Sequence, residues 1–225
     1  MILEELSKPY TLNLIPFDHL VSKEFRSLTP IGKVPVMHDP NTNLMLFESG
    51  AIIQYLIEMY DGECRISYEE LRERHLCNQW LMVQMSQQGP FFGQLSWFQY
   101  FHPEDVPSAK ERYFKQVERV LGVLEVALEG KEWLVGDRCT FADISFFMWN
   151  ELLPSVTRTK EEDTILNKFP RVLNWHERMR ERRAVGKVVE MRNKAIAEDG
   201  MKEAIEANDP EHWRELGNRT NAGGE

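Results

Sequence analysis

Polar and apolar positions alternate along Tyr10-Thr-Leu-Asn-Leu-Ile15, which predicts a half-buried strand. Phe17 to Leu28 is a polar connection with some helical character. Two short apolar runs follow, Val34-Pro-Val-Met37 and Leu44-Met-Leu-Phe47, on either side of Asp39-Pro-Asn-Thr-Asn43. An insert so rich in turn formers predicts an antiparallel hairpin. Glu48-Ser49-Gly50 then opens a helix through Met59, closed by Asp61-Gly62.

From about residue 69 the pattern becomes helical throughout. Ser108-Ala-Lys-Glu111 reads as a capping box, in which serine and glutamate satisfy free backbone N–H groups. Behind it Tyr113, Val117, Val120, Leu121, Leu124 and Leu128 form the apolar stripe of a buried helix, and Gly130 ends it. A second box, Thr140-Phe-Ala-Asp143, starts a helix through Asn150. Pro170, Leu173 and Trp175 open the next, and Val185 to Ala197 form one more. Strands first and helices afterwards imply two domains of different architecture. The boundaries expected are 1–62, 69–197 and a polar, frayed tail over 198–225.

Composition narrows the function. The chain has 225 residues, 42% hydrophobic, and a net charge of −9, which argues against a nucleic-acid partner because that surface must be basic. The one dense basic stretch, Arg178-Met-Arg-Glu-Arg-Arg183, reads as the solvated face and last turn of a helix. No apolar run approaches the ~20 residues that cross a bilayer, and the N-terminus lacks the character of a signal peptide. Cys64, Cys77 and Cys139 are odd in number and form no metal-ligand or CxxC spacing. Reduced, buried thiols, no metal and a cytoplasmic location are therefore expected.

Two motifs carry candidate chemistry. Val34-Pro35 at a strand start is either an ordinary edge proline or a cis proline that turns the preceding backbone towards a ligand. Glu48-Ser49 at a helix start is either simple capping or a site for an adjacent ammonium and carboxylate. Both motifs lie within twenty residues of each other, with a hairpin between them. Together with Pro30-x-Gly-Lys-Val-Pro35, Glu48-Ser49-Gly-Ala-Ile-Ile-x-Tyr-Leu56 and Trp133-Leu-Val-Gly-Asp137 before Thr140-x-Ala-Asp143, the chain resembles the glutathione S-transferase superfamily. The stretches Gln79-Trp-Leu81, Gly89-Pro90, Gly93-Gln94, Tyr100-Phe-His102 and Glu111-Arg-Tyr113 are similar to a fungal subgroup that includes the yeast prion-forming regulator of nitrogen catabolism.

This resemblance implies an α+β thioredoxin-like glutathione-binding domain followed by an all-α helical bundle. It implies that Val34 pairs with the cysteinyl backbone of glutathione, that Pro35 is cis, and that Glu48 and Ser49 bind the γ-glutamyl end. Lys33 would steer the glycyl carboxylate or stand solvated. His19 lies near the place where the subgroup sets a histidine against the glycyl end, although the alignment slips there; the alternative is a surface-loop histidine. Met85, Gln88, Phe91, Phe92, Phe98 and Tyr100 would wall a second-substrate pocket, splayed by a kink at Gly89-Pro90, or else belong to the core. Asp143 is read as structure, the reciprocal cap of a central helix.

Ile2-Leu-Glu-Glu-Leu6 looks like the last turns of the family's first helix. The strand and loop that carry the thiol-activating residue are expected upstream of Met1, so no catalytic residue is assigned, and the strand at residues 11–15 would lose its inner partner. The leading expectation is a homodimeric enzyme joining glutathione to an electrophilic small molecule, in detoxification or fungal secondary metabolism. The rival is a catalytically impaired regulator that binds a protein partner.

Overall fold

The computed structural model describes residues 1–198, and the expected polar tail from residue 199 onward lies outside them. The N-terminal half is α1 (Ile2–Glu5), α2 (Lys23–Leu28), β1 (Val36–Asp39), β2 (Leu44–Phe47) and α3 (Ser49–Tyr60). The second half is helical: α4 (Leu71–Val83), α5 (Gly89–Ser96), α6 (Pro107–Ala127), α7 (Phe141–Glu151), α8 (Leu153–Thr157), α9 (Pro170–Arg180) and α10 (Arg183–Glu198). No helix of the described residues is long and apolar enough to cross a membrane.

The strands β1 and β2 pair antiparallel, Val36 opposite Phe47 and Asp39 opposite Leu44. Their turn is fixed by one carboxylate. Asp39 Oδ1 accepts from the Asn41 N–H at 2.9 Å and from Asn41 Nδ2 at 3.0 Å. Its Oδ2 accepts from the Tyr55 hydroxyl at 2.7 Å and from the Tyr60 hydroxyl, both on α3. The same side chain therefore shapes the hairpin and fastens it to the helix behind.

The strand expected at residues 10–15 is absent: this segment is extended coil, with Leu12 57% and Leu14 66% exposed. Alternation supplies one apolar face, but a strand exists only when its backbone groups are paired. Among the described residues no strand pairs with it, and Pro9 and Pro16 at its ends carry no donors.

The helical half follows its stripes. Val117, Val120, Leu121, Leu124 and Leu128 on or beside α6 are at most 2% exposed. They join a core with Phe146, Phe147 and Trp175 that also takes in Ile2, Leu6, Ile52 and Leu56 of the first half. Two expectations are corrected here. Pro107 takes the first position of α6, where its fixed φ suits the helix, so Ser108 falls inside and caps nothing. The basic stretch does supply the last turn of α9, with Arg178 and Arg180, and Arg183 is exposed, but three of its arginines are anchored rather than simply solvated. Arg178 donates to the Glu132 carbonyl at 2.6 Å, Arg180 pairs with Glu151 at 3.2 Å, and Arg182 forks onto Glu5 at 2.7 and 2.8 Å.

The disturbance expected at Gly89-Pro90 takes the form of a π turn. Residues Gln84–Gln88 join α4 to α5, and the Gly89 N–H reaches back to the Gln84 carbonyl. One extra residue in the turn accommodates the proline ring that would otherwise strike the preceding carbonyl. A second π turn, Trp97–Phe101, ends α5.

The capping box at Thr140 and Asp143 is present, but Asp143 does more than cap. Its carboxylate, fully buried, accepts from the Thr140 N–H at 2.8 Å, the Leu134 N–H at 2.9 Å and Trp175 Nε1 at 2.9 Å. A single lost cap costs about 1 kcal/mol. The Thr140 hydroxyl donates as well, at 3.0 Å, so Asp143→Ala strands four buried donors and denaturant unfolding should show a loss of roughly 3–5 kcal/mol.

The phenol bonds from Tyr60 and then Tyr55 hold the Asp39 carboxyl down at about 2, against an ordinary value of 3.8. A lowered folded-state value means that the stabilisation is present above the unfolded value and is lost as pH falls through the folded one. Thermal unfolding of the wild type should therefore weaken between about pH 4 and 2. In Asp39→Asn that part of the slope should vanish, and an unchanged slope would refute the assignment.

Candidate ligand-binding site

The hairpin delivers the chain to α3 through a sharp change of direction at Glu48, whose φ is 72°. A side-chain-bearing residue at positive φ costs on the order of 1–3 kcal/mol, and such positions cluster at ligand clamps. Glu48 is the N-cap of α3, yet its carboxylate makes no capping bond and stands exposed. The first intrahelical bond of α3 runs from the Ile52 N–H to the Glu48 carbonyl at 2.9 Å, so the N–H groups of Ser49, Gly50 and Ala51 have no partner within the helix. Simple capping by Ser49 is also excluded: its hydroxyl donates to Met85 Sδ at 3.4 Å.

Val34-Pro35 is a cis bond. Val34 is 57% exposed and takes part in no backbone hydrogen bond among the described residues. Lys33 is exposed beside it. Pro35 and Ser49 both line a cleft of about 380 Å³ between the two halves, and from the helical side Gln84, Ser145, Met148 and Trp149 face them.

The structure thus gathers Pro35 and Ser49 at one cleft, with Val34 adjoining Pro35 and Glu48 adjoining Ser49 in the chain. It does not bring His19 there: that residue sits exposed on the 3-10 turn Phe17–Val21 and lines no part of the cleft.

The expected second-substrate wall does not assemble. Gln88 and Phe92 are fully buried. Gln88 donates to Asn150 Oδ1 at 2.9 Å, and Phe92 packs edge-on to Trp149 with centroids 6.0 Å apart. Their i, i+4 spacing puts both on the core side of the rod. Phe91 lies under Arg119, Phe98 stacks with Tyr113 and His102, and the Tyr100 hydroxyl donates to the Ser155 carbonyl at 2.5 Å. Of the six, only Met85 touches the Glu48-Ser49 corner.

Sequence reasoning missed Ser145, Met148 and Trp149. They lie at i, i+3 and i+4 on α7, so a shared helical face was readable, but nothing in the sequence showed that it looks across a cleft. The two buried thiols, Cys77 and Cys139, are no alternative site, and Cys64, expected buried, is only half-buried. Burial pushes Cys77 up to about 11 and raises Cys139 further, and a thiol held protonated is a poor nucleophile.

Comparison with known proteins bears on both halves. Residues 1–64 match the family model for the glutathione S-transferase N-terminal domain, and residues 90–183 match that for the C-terminal domain. The chain is 40% identical over 198 residues to the glutathione S-transferase-like protein gedE of Aspergillus terreus, covering 84% of this chain and 87% of the relative. It is 34% identical to Protein URE2 of Meyerozyma guilliermondii, covering 82% and 72%. Among solved structures it is similar to the glutathione transferase URE2P8 of Phanerochaete chrysosporium with oxidised glutathione. That likeness has 36% identity and a TM-score of 0.81, over 87% of this chain and 89% of the other.

Glycine populates positive φ without the steric cost that Glu48 bears. Glu48→Gly should therefore raise unfolding stability by about 1 kcal/mol while removing the carboxylate from the corner. Thermal melts check the first part, and a fall in stability would show that the backbone at residue 48 is not strained.

Proposed function

Because the chain belongs to the glutathione S-transferase family, we propose that the cleft binds glutathione and that the protein joins the glutathione sulfur to an electrophilic small molecule. The observation that carries this reading is the α3 corner. Three unpaired N–H groups and the Ser49 hydroxyl suit the γ-glutamyl carboxylate, and the Glu48 carboxylate beside them suits its ammonium. The free backbone of Val34 suits the cysteinyl peptide group, which would set the sulfur over the cleft. Lys33 adds a positive charge for the glycyl end, and His19 could reach that end only if its turn moved. In this reading Met85, in contact with Ser49, borders the approach for an electrophile, with Met148 and Trp149 of α7 across the cleft.

In the reaction proposed, the thiolate attacks an electrophilic carbon. A C–S bond forms, the leaving group departs with its electron pair, and the thiol proton passes to solvent. No metal takes part. Activity in detoxification or in fungal secondary metabolism, as a cytoplasmic homodimer, belongs to the same proposal.

A second reading is a regulator that keeps the cradle and has lost the chemistry. The hydroxyls in the cleft favour it. Ser49 donates to Met85, and the Ser145 hydroxyl donates to the Ala142 carbonyl at 2.7 Å, so neither is turned towards a thiol. Lowering a thiol's pKa by one unit needs about 1.4 kcal/mol of preferential thiolate stabilisation.

Titration calorimetry with glutathione decides the cradle. Wild-type binding should weaken at least about tenfold in both Glu48→Ala and Ser49→Ala, as expected for charge-assisted hydrogen bonds. Absence of binding to a folded wild type would sink the proposal. On the same samples, conjugation of an activated aryl halide separates the readings: turnover above the uncatalysed rate marks the enzyme, and binding without turnover marks the regulator.

A further inference from the structure

A second concavity lies apart from the cleft. It is a groove of about 960 Å³ where α1 and the following loop face α10, and it shares no lining residue with the cleft. Five basic side chains line it, Lys8, Arg65, Arg182, Arg183 and Lys187, against two acidic ones, Glu4 and Glu5. The groove thus carries a net charge of +3 in a chain whose total is −9.

The two acids are already spent. Glu5 is held by the fork of Arg182 at 2.7 and 2.8 Å, and Glu4 by Lys187 at 2.7 Å and by the Tyr10 hydroxyl at 2.7 Å. These contacts fix one wall. Lys8 lies over the Tyr60 ring, 5.1 Å from its centroid, a contact that leaves its ammonium without an acidic partner among the described residues. The guanidinium groups of Arg65 and Arg183 are exposed and have no acidic partner among the described residues. Three cations are therefore left over inside one concave surface. Mutual repulsion makes such a grouping unfavourable unless an anion answers it.

We infer that this groove is a second binding site, for a small molecule that carries adjacent phosphate groups. The charge count selects the class. A single carboxylate leaves two of the three cations unanswered, whereas a pyrophosphate group offers about three charges in one place, and its oxygens match the arginine fork. Tyr10 and Leu12, 37% and 57% exposed, with Met191 beyond them, add an apolar margin on which an attached base or other flat body can lie. The volume lies in the range of ordinary small-molecule sites.

The probes are inorganic pyrophosphate and ATP without divalent cation, titrated into the whole chain at about 50 and 200 mM salt. Wild type should bind both, ATP more tightly, with affinity falling as salt rises. The double variant Arg65→Ala/Arg183→Ala changes two exposed residues, and its melting curve confirms folding; it should lose at least about tenfold in affinity for each probe. Lys131→Ala, an exposed lysine that does not line the groove, should leave both affinities unchanged. Saturating glutathione should also leave them unchanged, and the variants test the groove whether or not glutathione binds. No binding at the lower salt, or an equal loss in Lys131→Ala, would overturn the site. ATP binding no tighter than pyrophosphate would overturn the apolar margin.

Discussion

A carboxylate with no access to water can stay in a protein interior only if hydrogen-bond donors replace its hydration, and at Asp143 those donors come from three separate places. The Thr140 N–H belongs to the start of α7, the Leu134 N–H to the loop before it, and Trp175 Nε1 to α9. This one side chain therefore sets where α7 begins, how the Trp133–Asp137 loop folds onto it and how α9 lies against it. Everything α7 offers to the cleft inherits that placement. Ser145, Met148 and Trp149 stand across from Pro35 and Ser49 because α7 is held at its first turn by an interaction too costly to break.

The N-terminal half relies on the same device in a wetter setting. Asp39 joins the hairpin turn to two tyrosines of α3, so the end of β2 and the start of α3 are fixed relative to each other. Between them lies Glu48, the one residue that takes up the change of direction. Its backbone conformation is unfavourable in isolation and persists because both flanking elements are anchored. The side chain is left exposed and makes no capping bond to its own helix.

Much of this was legible in the sequence. The hairpin, α3, the α6 stripe, the Thr140–Asp143 box and the cis bond at Pro35 each have a local cause: turn formers, periodicity, a cap or a motif. What was misread depends on partners distant in sequence. Residues 10–15 alternate like a strand, but alternation cannot supply a neighbouring strand. Arg178, Arg180 and Arg182 look like a solvated face because their partners Glu132, Glu151 and Glu5 are remote in sequence. Gln88 and Phe92 look like a ligand wall because aromatic and amide side chains suit pockets and cores alike. The π turn, which decides which way they face, has no periodicity of its own to announce it.

The contact between Ser49 and Met85 deserves a different description. Gly50 permits it, since a Cβ there would stand 2.9 Å from Met85 Cγ, and the serine hydroxyl has only one proton to give. A ligand oxygen that accepts that proton leaves the methionine sulfur without a donor, so ligation of α3 and this tie between the halves are alternatives within one linked equilibrium. If the corner takes the ligand proposed for it, whatever loosens the helical half from α3 favours uptake, and uptake in turn loosens the halves. The apparent affinity of the corner is in that sense a property of both domains, carried by the single proton of one hydroxyl group.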